Sequence, residues 1–252
     1  MARPLLLAAA LALAASTAGA EAVRVSAAAS LTEAFEEIAR AFAAAHPGDS
    51  VELNFGGSNL LRAQIEQGAP VDVFASADLV HAEALARGGL LGATRVFARN
   101  RLVVAVPATG ARVASLRDLT RQGTRIVLAA PSVPAGRYAA EVVAALDASR
   151  LHGDGFAARV NANVVSHEAS VRAVLAKVSL GEADAGFVYA TDAAAAGGRV
   201  RAVEIPERWN AVADYPIGVV AASPRPAKAR AFVEIVVGAE GRAILARHGF
   251  GR

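Results

Sequence analysis

The chain contains no cysteine. That removes disulfides, zinc–thiolate sites, iron–sulfur clusters and thiol nucleophiles, and leaves the fold to be held by its core alone. A strong charge of one sign is missing too: 26 Lys and Arg stand against 23 Asp and Glu, a net +3. The basic residues are scattered, with no run and no basic helix face, so no nucleic-acid partner is expected. There is no Gly-rich phosphate loop of Walker type and no H-E-x-x-H zinc motif. Five histidines, at positions 46, 81, 152, 167 and 248, are not paired at metal-ligand spacing, so surface or capping roles are expected and no metal is assigned to direct cation ligands. His167 is the one to watch, because its segment could approach a cleft. Tyr138, Tyr189 and Tyr215 are isolated in sequence, unlike the clustered tyrosines of a ferric-ion binder. Internal repeats and long linkers are also absent.

Long apolar runs are confined to the start of the chain. Arg3 gives a short positive region, residues 4–15 are almost unbroken apolar, and Ala18-Gly19-Ala20 forms an A-x-A cleavage site before Glu21. This is the three-part layout of a secretory signal peptide over residues 1–20. The run is too short to span a bilayer, which needs about 20 apolar residues. Every later apolar run is broken by charge or glycine. The expectation is an exported, periplasmic, soluble protein whose remaining charge is about +2, with 54% hydrophobic residues overall to build a core.

Beyond Glu21, short runs rich in Val, Ile and Phe alternate with helical patterns. Strands are predicted at residues 23–26, 51–55, 71–75, 102–106, 125–129, 185–189 and 199–205. Between them, Leu31, Phe35, Ile38 and Phe42 share one helical face, as do Ala139, Val142, Val143 and Leu146, and then Val171, Val174, Leu175 and Val178. Strands alternating with helices predict βαβ units, parallel-rich sheets and an α/β fold. Residues 101–106 and 215–222 read as crossings between two lobes, with a last helix over 227–248. The division is lobe 1 at 21–102 and 214–252, and lobe 2 at 103–213.

Four strand-to-helix junctions carry small or hydroxyl residues where a helix begins. Ala27-Ala28-Ala29-Ser30-Leu31-Thr32-Glu33 places Ser30 and Glu33 at capping-box spacing, so Ser30 could simply cap its helix. Phe55-Gly56-Gly57-Ser58 combines a permissive backbone with a serine opening the next helix. In Pro131-Ser132-Val133-Pro134-Ala135-Gly136, Pro134 presets the helix start and should leave the Ala135 and Gly136 amides free. Ser166-His167-Glu168-Ala169-Ser170-Val171-Arg172 leads into the third stripe. Asp72 and Asp78 flank a strand end and read as turn and capping residues.

The opening turn of a helix has unpaired N–H groups and a partial positive charge, a ready anion site. Hydrogen bonds to a charged acceptor contribute roughly 1.5–3 kcal/mol each. Three or four such junctions could together supply the ~11 kcal/mol of a ~10 nM affinity. A pocket offering only donors suits an ion without protons, such as molybdate, tungstate or sulfate. Hydrogen phosphate carries a donor and would want a carboxylate.

At these junctions the chain resembles the periplasmic molybdate-binding proteins of ABC importers. The matching segments are Ala27 to Thr32, Gln64-Ile65-Glu66-Gln67-Gly68-Ala69-Pro70-Val71-Asp72-Val73-Phe74 with Ser76-Ala77-Asp78, Val133 to Ala139, Val171-Arg172, and Gly186-Phe187-Val188-Tyr189 with Thr191-Asp192-Ala193. The resemblance implies a two-lobed type II periplasmic binding protein fold with a ligand cleft between the lobes. Its oxyanion donors would be Ser30 and Ser58 from the first lobe, and the Ala135 amide, the Val171 amide and the Tyr189 hydroxyl from the second. It further implies molybdate or tungstate as ligand, no cofactor, an inner-membrane ABC permease as partner, and a monomer. Two departures stand out: Gly56-Gly57 where many relatives carry Ala or Ser, and the Ser166 to Ser170 approach to the Val-Arg pair.

Two other readings compete. One is a binding protein for sulfate or another oxyanion. The other is a secreted serine hydrolase with Ser30 or Ser58 as nucleophile. Such a serine needs a base within reach, His167 is the only candidate, and no G-x-S-x-G elbow is present, so an enzyme is not expected.

Overall fold

The computed structural model describes residues 22–251; the signal-peptide segment 1–20 lies outside them. Strand β1 (Val23–Ala28) runs into a 3-10 turn (Ala29–Leu31) and helix α1 (Thr32–Ala45), followed by β2 (Val51–Gly56), α2 (Ser58–Glu66), β3 (Val73–Ala75) and α3 (Leu79–Arg87). β1 pairs in parallel with both β2 and β3, from Val23↔Val51 and Val25↔Val73 onward. The α1 stripe explains why this unit folds: Phe35, Ile38 and Phe42 are all fully buried. Each such side chain contributes roughly 1.5–3 kcal/mol when removed from water. Phe42 and Phe35 meet Phe232 edge-on at 5.6 and 6.1 Å between ring centroids.

β4 (Arg95–Pro107) is the pivot of the molecule. Its first part pairs antiparallel with β9 (Val212–Val219), from Arg95↔Ile217 to Arg101↔Val212. From Leu102 it pairs instead with β7 (Ala185–Tyr189), and with β8 (Val200–Glu204) on its other edge. Between lie β5 (Ile126–Ala129), α4 (Pro134–Ala148), α5 (Phe156–Ala162), β6 (Val164–Glu168) and α6 (Val171–Ser179), with α7 (Ala190–Ala195) following β7. The chain ends in α8 (Pro226–Val237) and α9 (Ala239–Arg247). Among the described residues the strand order is β2-β1-β3-β9-β4-β7-β5-β6, with β8 off the path on β4. The result is a two-lobed α/β fold in which β4 changes partner from β9 to β7 along its length.

Several boundaries differ from the sequence expectation. The strand predicted at 71–75 is only Val73–Ala75, because Asp72 turns its carboxylate to the Arg24 N–H at 2.8 Å and the Ser223 hydroxyl at 2.6 Å. β6 was not predicted as a strand; only part of its surface is buried and it carries Ser166, His167 and Glu168, so the apolar run that signals a buried strand is missing. The strand in the region of the expected return crossing at 215–222 is β9, Val212–Val219. The expected helix over 227–248 is two helices, broken where Gly238 takes an extended conformation (φ −72°, ψ −179°). No described helix is long and apolar enough to cross a membrane.

Candidate functional site

The four junctions meet. One small cavity, about 10 Å³, is lined by Ser30, Ser58, Ala135, Val171 and Tyr189 together with Ala28, Ala29, Gly56, Gly57, Ala77, Val133, Pro134 and Ser170. No ionisable group other than Tyr189 is among them.

Each of the five has its own local cause. Ser30 sits in the 3-10 turn after β1, 3% exposed. Its hydroxyl does not cap α1 as the spacing with Glu33 allowed; it lies 2.9 Å from the Tyr215 hydroxyl, and Glu33 is bound to Arg172 instead. Ser58 is the first residue of α2. Its oxygen accepts the Ala77 N–H at 3.1 Å, which leaves its own proton to donate elsewhere. Ala135 follows Pro134 at the start of α4, where first-turn N–H groups have no intrahelical acceptor. The expectation that Gly136 is equally free is corrected. A tight turn carries its N–H to the Val133 carbonyl at 3.0 Å, and a Cβ there would lie 2.2 Å from the Ala130 carbonyl oxygen. Val171 opens α6 and lines the cavity, and Ser170 caps that helix by accepting the Ala173 N–H at 3.3 Å.

Tyr189, at the end of β7, is 1% exposed, and its hydroxyl has no hydrogen-bond partner in the protein. A buried hydroxyl without a partner costs roughly 1–3 kcal/mol. Burial first, and then the neighbouring Tyr215, push its pKa well above the usual tyrosine range, so it stays protonated and able to donate. The site therefore presents hydroxyl protons and backbone N–H groups, and no carboxylate.

The charges surround this core rather than line it. Arg172, next to Val171, reaches back to α1 and holds Glu33 through two bonds of 2.7 and 2.5 Å, and lies 2.7 Å from the fully buried Asp192. Burial raises Asp192 to about 6 despite Arg172. Burial would also raise Glu33, but the hydrogen bonds from Arg172, the Glu33 backbone N–H and the charges of Arg172 and His248 together outweigh it and hold that carboxyl below its usual value. On the other side of the cavity, Arg137 of α4 binds Asp78 at 3.0 Å. Asn59 donates to the Ser132 hydroxyl at 3.2 Å, and His81 Nε2 lies 3.0 Å from the Ser132 carbonyl, a contact that requires the proton on that nitrogen. The bonds of Arg172 to Glu33, Arg137 to Asp78, Asn59 to Ser132 and His81 to Ser132 each join the β1–α3 segment to the β5–α6 segment across the cleft. Gly57 completes the closure, since a Cβ there would stand 2.5 Å from the Ala169 carbonyl oxygen.

Other expectations need correction. His167 is exposed on β6 and does not line the cavity, so it cannot serve Ser30 or Ser58 as a base. His81 is buried rather than on the surface. Two of the three tyrosines do converge: Tyr189 and Tyr215 meet edge-on at 5.8 Å. Asp72 and Asp78 serve the turn and the α3 cap, Asp78 accepting the His81 N–H at 3.0 Å. The described residues include no group of three or more His, Asp or Glu placed to hold a metal ion.

The comparisons fit this geometry. The family model described as "Bacterial extracellular solute-binding protein" matches residues 23–251. The chain belongs to that family. Within it, the chain is 42% identical over 238 residues to the Molybdate-binding protein ModA of Mycobacterium tuberculosis, covering 94% of this chain and 87% of the relative. The structure of the Azotobacter vinelandii periplasmic molybdate-binding protein superposes with a TM-score of 0.79 at 25% identity, covering 91% of this chain and 99% of that one. The sulfate-binding protein SubI of Mycobacterium tuberculosis gives 0.80 at 21% identity, covering 91% and 86%. That last likeness concerns the fold alone, so fold does not choose the ion. As a solute-binding protein the chain is not an enzyme, and it works outside the cytoplasm.

Sequence reasoning missed the residues behind the five. Ala77 appears only inside a matching motif, and its N–H orients Ser58. Tyr215 reads as the start of a crossing strand, and nothing local signals that its hydroxyl reaches Ser30, 185 positions away. Arg172 was legible as half of a Val-Arg pair, but its bond to Glu33 was not.

Proposed function

We propose that this protein captures molybdate, and tungstate by the same chemistry, in the periplasm and delivers it as a monomer to an inner-membrane ABC permease after removal of residues 1–20. The ion would be held by Ser30 and Ser58 through hydroxyl and amide, by the Ala135 and Val171 amides, and by the Tyr189 hydroxyl. The observation that carries this reading is the unpartnered Tyr189 hydroxyl in a cavity that offers only donors. A proton-free tetrahedral oxyanion supplies the acceptors that such a set lacks. The 42% identity to a molybdate-binding protein supports molybdate over other ions of that class.

In this reading lobe 1 comprises residues 21–102 and 214–252, and lobe 2 residues 103–213. The switch of β4 from β9 to β7 between Arg101 and Leu102 supports the first boundary. The lobes close over the ion, whose charge is met by helix N-termini worth roughly 0.3–2 kcal/mol each and by hydrogen bonds worth roughly 1.5–3 kcal/mol each. Calorimetric titration and thermal melting with molybdate, tungstate, sulfate and phosphate at equal concentration test it. Molybdate and tungstate should raise the melting temperature through linkage. Equal stabilisation by sulfate would reassign the protein to sulfate or to oxyanions in general.

A further inference from the structure

Resting on that reading, we propose that Tyr215, which lies behind Ser30 and outside the cavity lining, is a specificity-determining positioning residue. It fixes the Ser30 hydroxyl as a donor and so excludes protonated oxyanions such as hydrogen phosphate. The direction of the hydrogen-bond chain carries the inference. Asn100 accepts the Arg101 N–H through Oδ1 at 3.0 Å, which turns Nδ2 toward the Thr191 hydroxyl at 2.9 Å and the Tyr215 hydroxyl at 3.5 Å. An amide nitrogen can only donate. The Tyr215 oxygen therefore accepts from Asn100, and among the described residues the acceptor within hydrogen-bond distance of its single proton is Ser30 Oγ, 2.9 Å away, which assigns the proton to that contact. Tyr215 is fully buried, and burial holds its pKa far above the usual range, with Asp192 adding to the effect. The phenol keeps its proton. Ser30 must then accept from Tyr215 and point its own proton away from it, toward the cavity. Ser58 is fixed in the same sense by the Ala77 N–H.

A ligand that brings a proton of its own meets donors on both sides and finds no acceptor. Tyr215→Phe removes the donor to Ser30 while keeping the ring against Phe97, Tyr189 and Phe250. Ser30 is then free to accept. Titrations of the full-length processed protein with molybdate, sulfate and inorganic phosphate read the outcome. The preference for molybdate over phosphate should fall at least about tenfold, while the preference over proton-free sulfate stays unchanged. In a Ser30→Ala background the same substitution should do nothing to either ratio. Asn100→Asp gives a second route, since a carboxylate would take the Tyr215 proton and force Ser30 to donate backwards, with the same loss of phosphate exclusion. If both ratios fall together, if neither moves, or if the effect survives Ser30→Ala, Tyr215 is only a packing residue. Failure of the unaltered protein to bind molybdate would count against the proposed function instead.

Discussion

Replacing Gly57 by alanine tests the closed geometry directly. Gly57 has φ −64° and ψ 135°, ordinary extended backbone that alanine adopts without strain. The added methyl would lie 2.5 Å from the Ala169 carbonyl oxygen and 2.7 Å from Asn59 Oδ1. Asn59 can rotate away at the loss of its bond to Ser132. Ala169 cannot, because its carbonyl belongs to the backbone two residues ahead of the Val171 amide. Restoring an ordinary carbon–oxygen contact of about 3.3 Å needs a displacement of roughly 0.8 Å, and it moves Val171 away from the site. Overpacking of this kind costs roughly 1–3 kcal/mol, which corresponds to a Kd raised about 5- to 150-fold. Without ligand the lobes can part and relieve the contact, so the melting temperature of the free protein should stay nearly unchanged. Calorimetric titration with molybdate and a ligand-free melt separate the two. An unchanged Kd would refute the closed geometry around Gly57, and an equal loss in both measurements would make the contact one of general packing.

Three further outcomes follow from the same structure. Ser58→Ala removes one hydroxyl donor and leaves the Ala77 N–H without its acceptor; molybdate affinity should fall roughly 10- to 150-fold, as read by titration, yet persist through the amides. Glu33→Gln weakens a bond that spans the cleft, and because both side chains are part exposed (24% and 41%) the loss should be about 2- to 5-fold and shrink in high salt. Asp192 concerns pH. Its native pKa of about 6 exceeds the usual carboxylate value of about 3.9, so between those values the native state binds the proton that the unfolded state releases, and this group adds stability as pH falls. Glu33, Glu168 and Asp184 are held low and act in the opposite sense, losing stability as pH falls. Asp192→Asn should therefore lose more stability between pH 7 and pH 4.5 than the unaltered protein, measured by denaturant unfolding at each pH; parallel losses would reject the assignment.

The α/β lobes were legible because their signals are local. Phe35, Ile38 and Phe42 repeat at helical spacing, and the β5 and β7 runs are apolar without a break. β6 was not, since an edge strand with Ser166, His167 and Glu168 carries no apolar run. The candidate site was legible in part for a related reason. A helix start announces itself through Ser, Gly or Pro, so Ser30, Ser58, Ala135 and Val171 could be picked out from junctions, whereas Tyr189 needed family resemblance. What orients those groups could not be read. Tyr215 to Ser30, Arg172 to Glu33 and His81 to Ser132 are contacts between segments 51 to 185 positions apart, and no spacing rule reaches that far.

The placement of charge explains how one cleft can both select and release. Two arginines stand beside the cavity, yet Arg172 is committed to Glu33 and Asp192, and Arg137 to Asp78 and Glu141. A free guanidinium in the cavity would attract any small anion, whereas neutral N–H and O–H groups fixed in direction accept only an ion with acceptors in matching positions. The cations serve a different end, since one partner of each, Glu33 for Arg172 and Asp78 for Arg137, lies across the cleft. Bonds such as Arg172 to Glu33 are part exposed and exchange for water at little net cost, so they set the geometry of closure without making it irreversible. An equilibrium of that kind is shifted only by a ligand that binds one state better than the other. In the proposed reading, an ion held by Ser30 and Ser58 as well as by the Tyr189 hydroxyl and the amides at Ala135 and Val171 would be held by all of them only when both lobes are in contact with it. In that reading closure and recognition would be one event, and parting the lobes would return the ion to water one set of donors at a time.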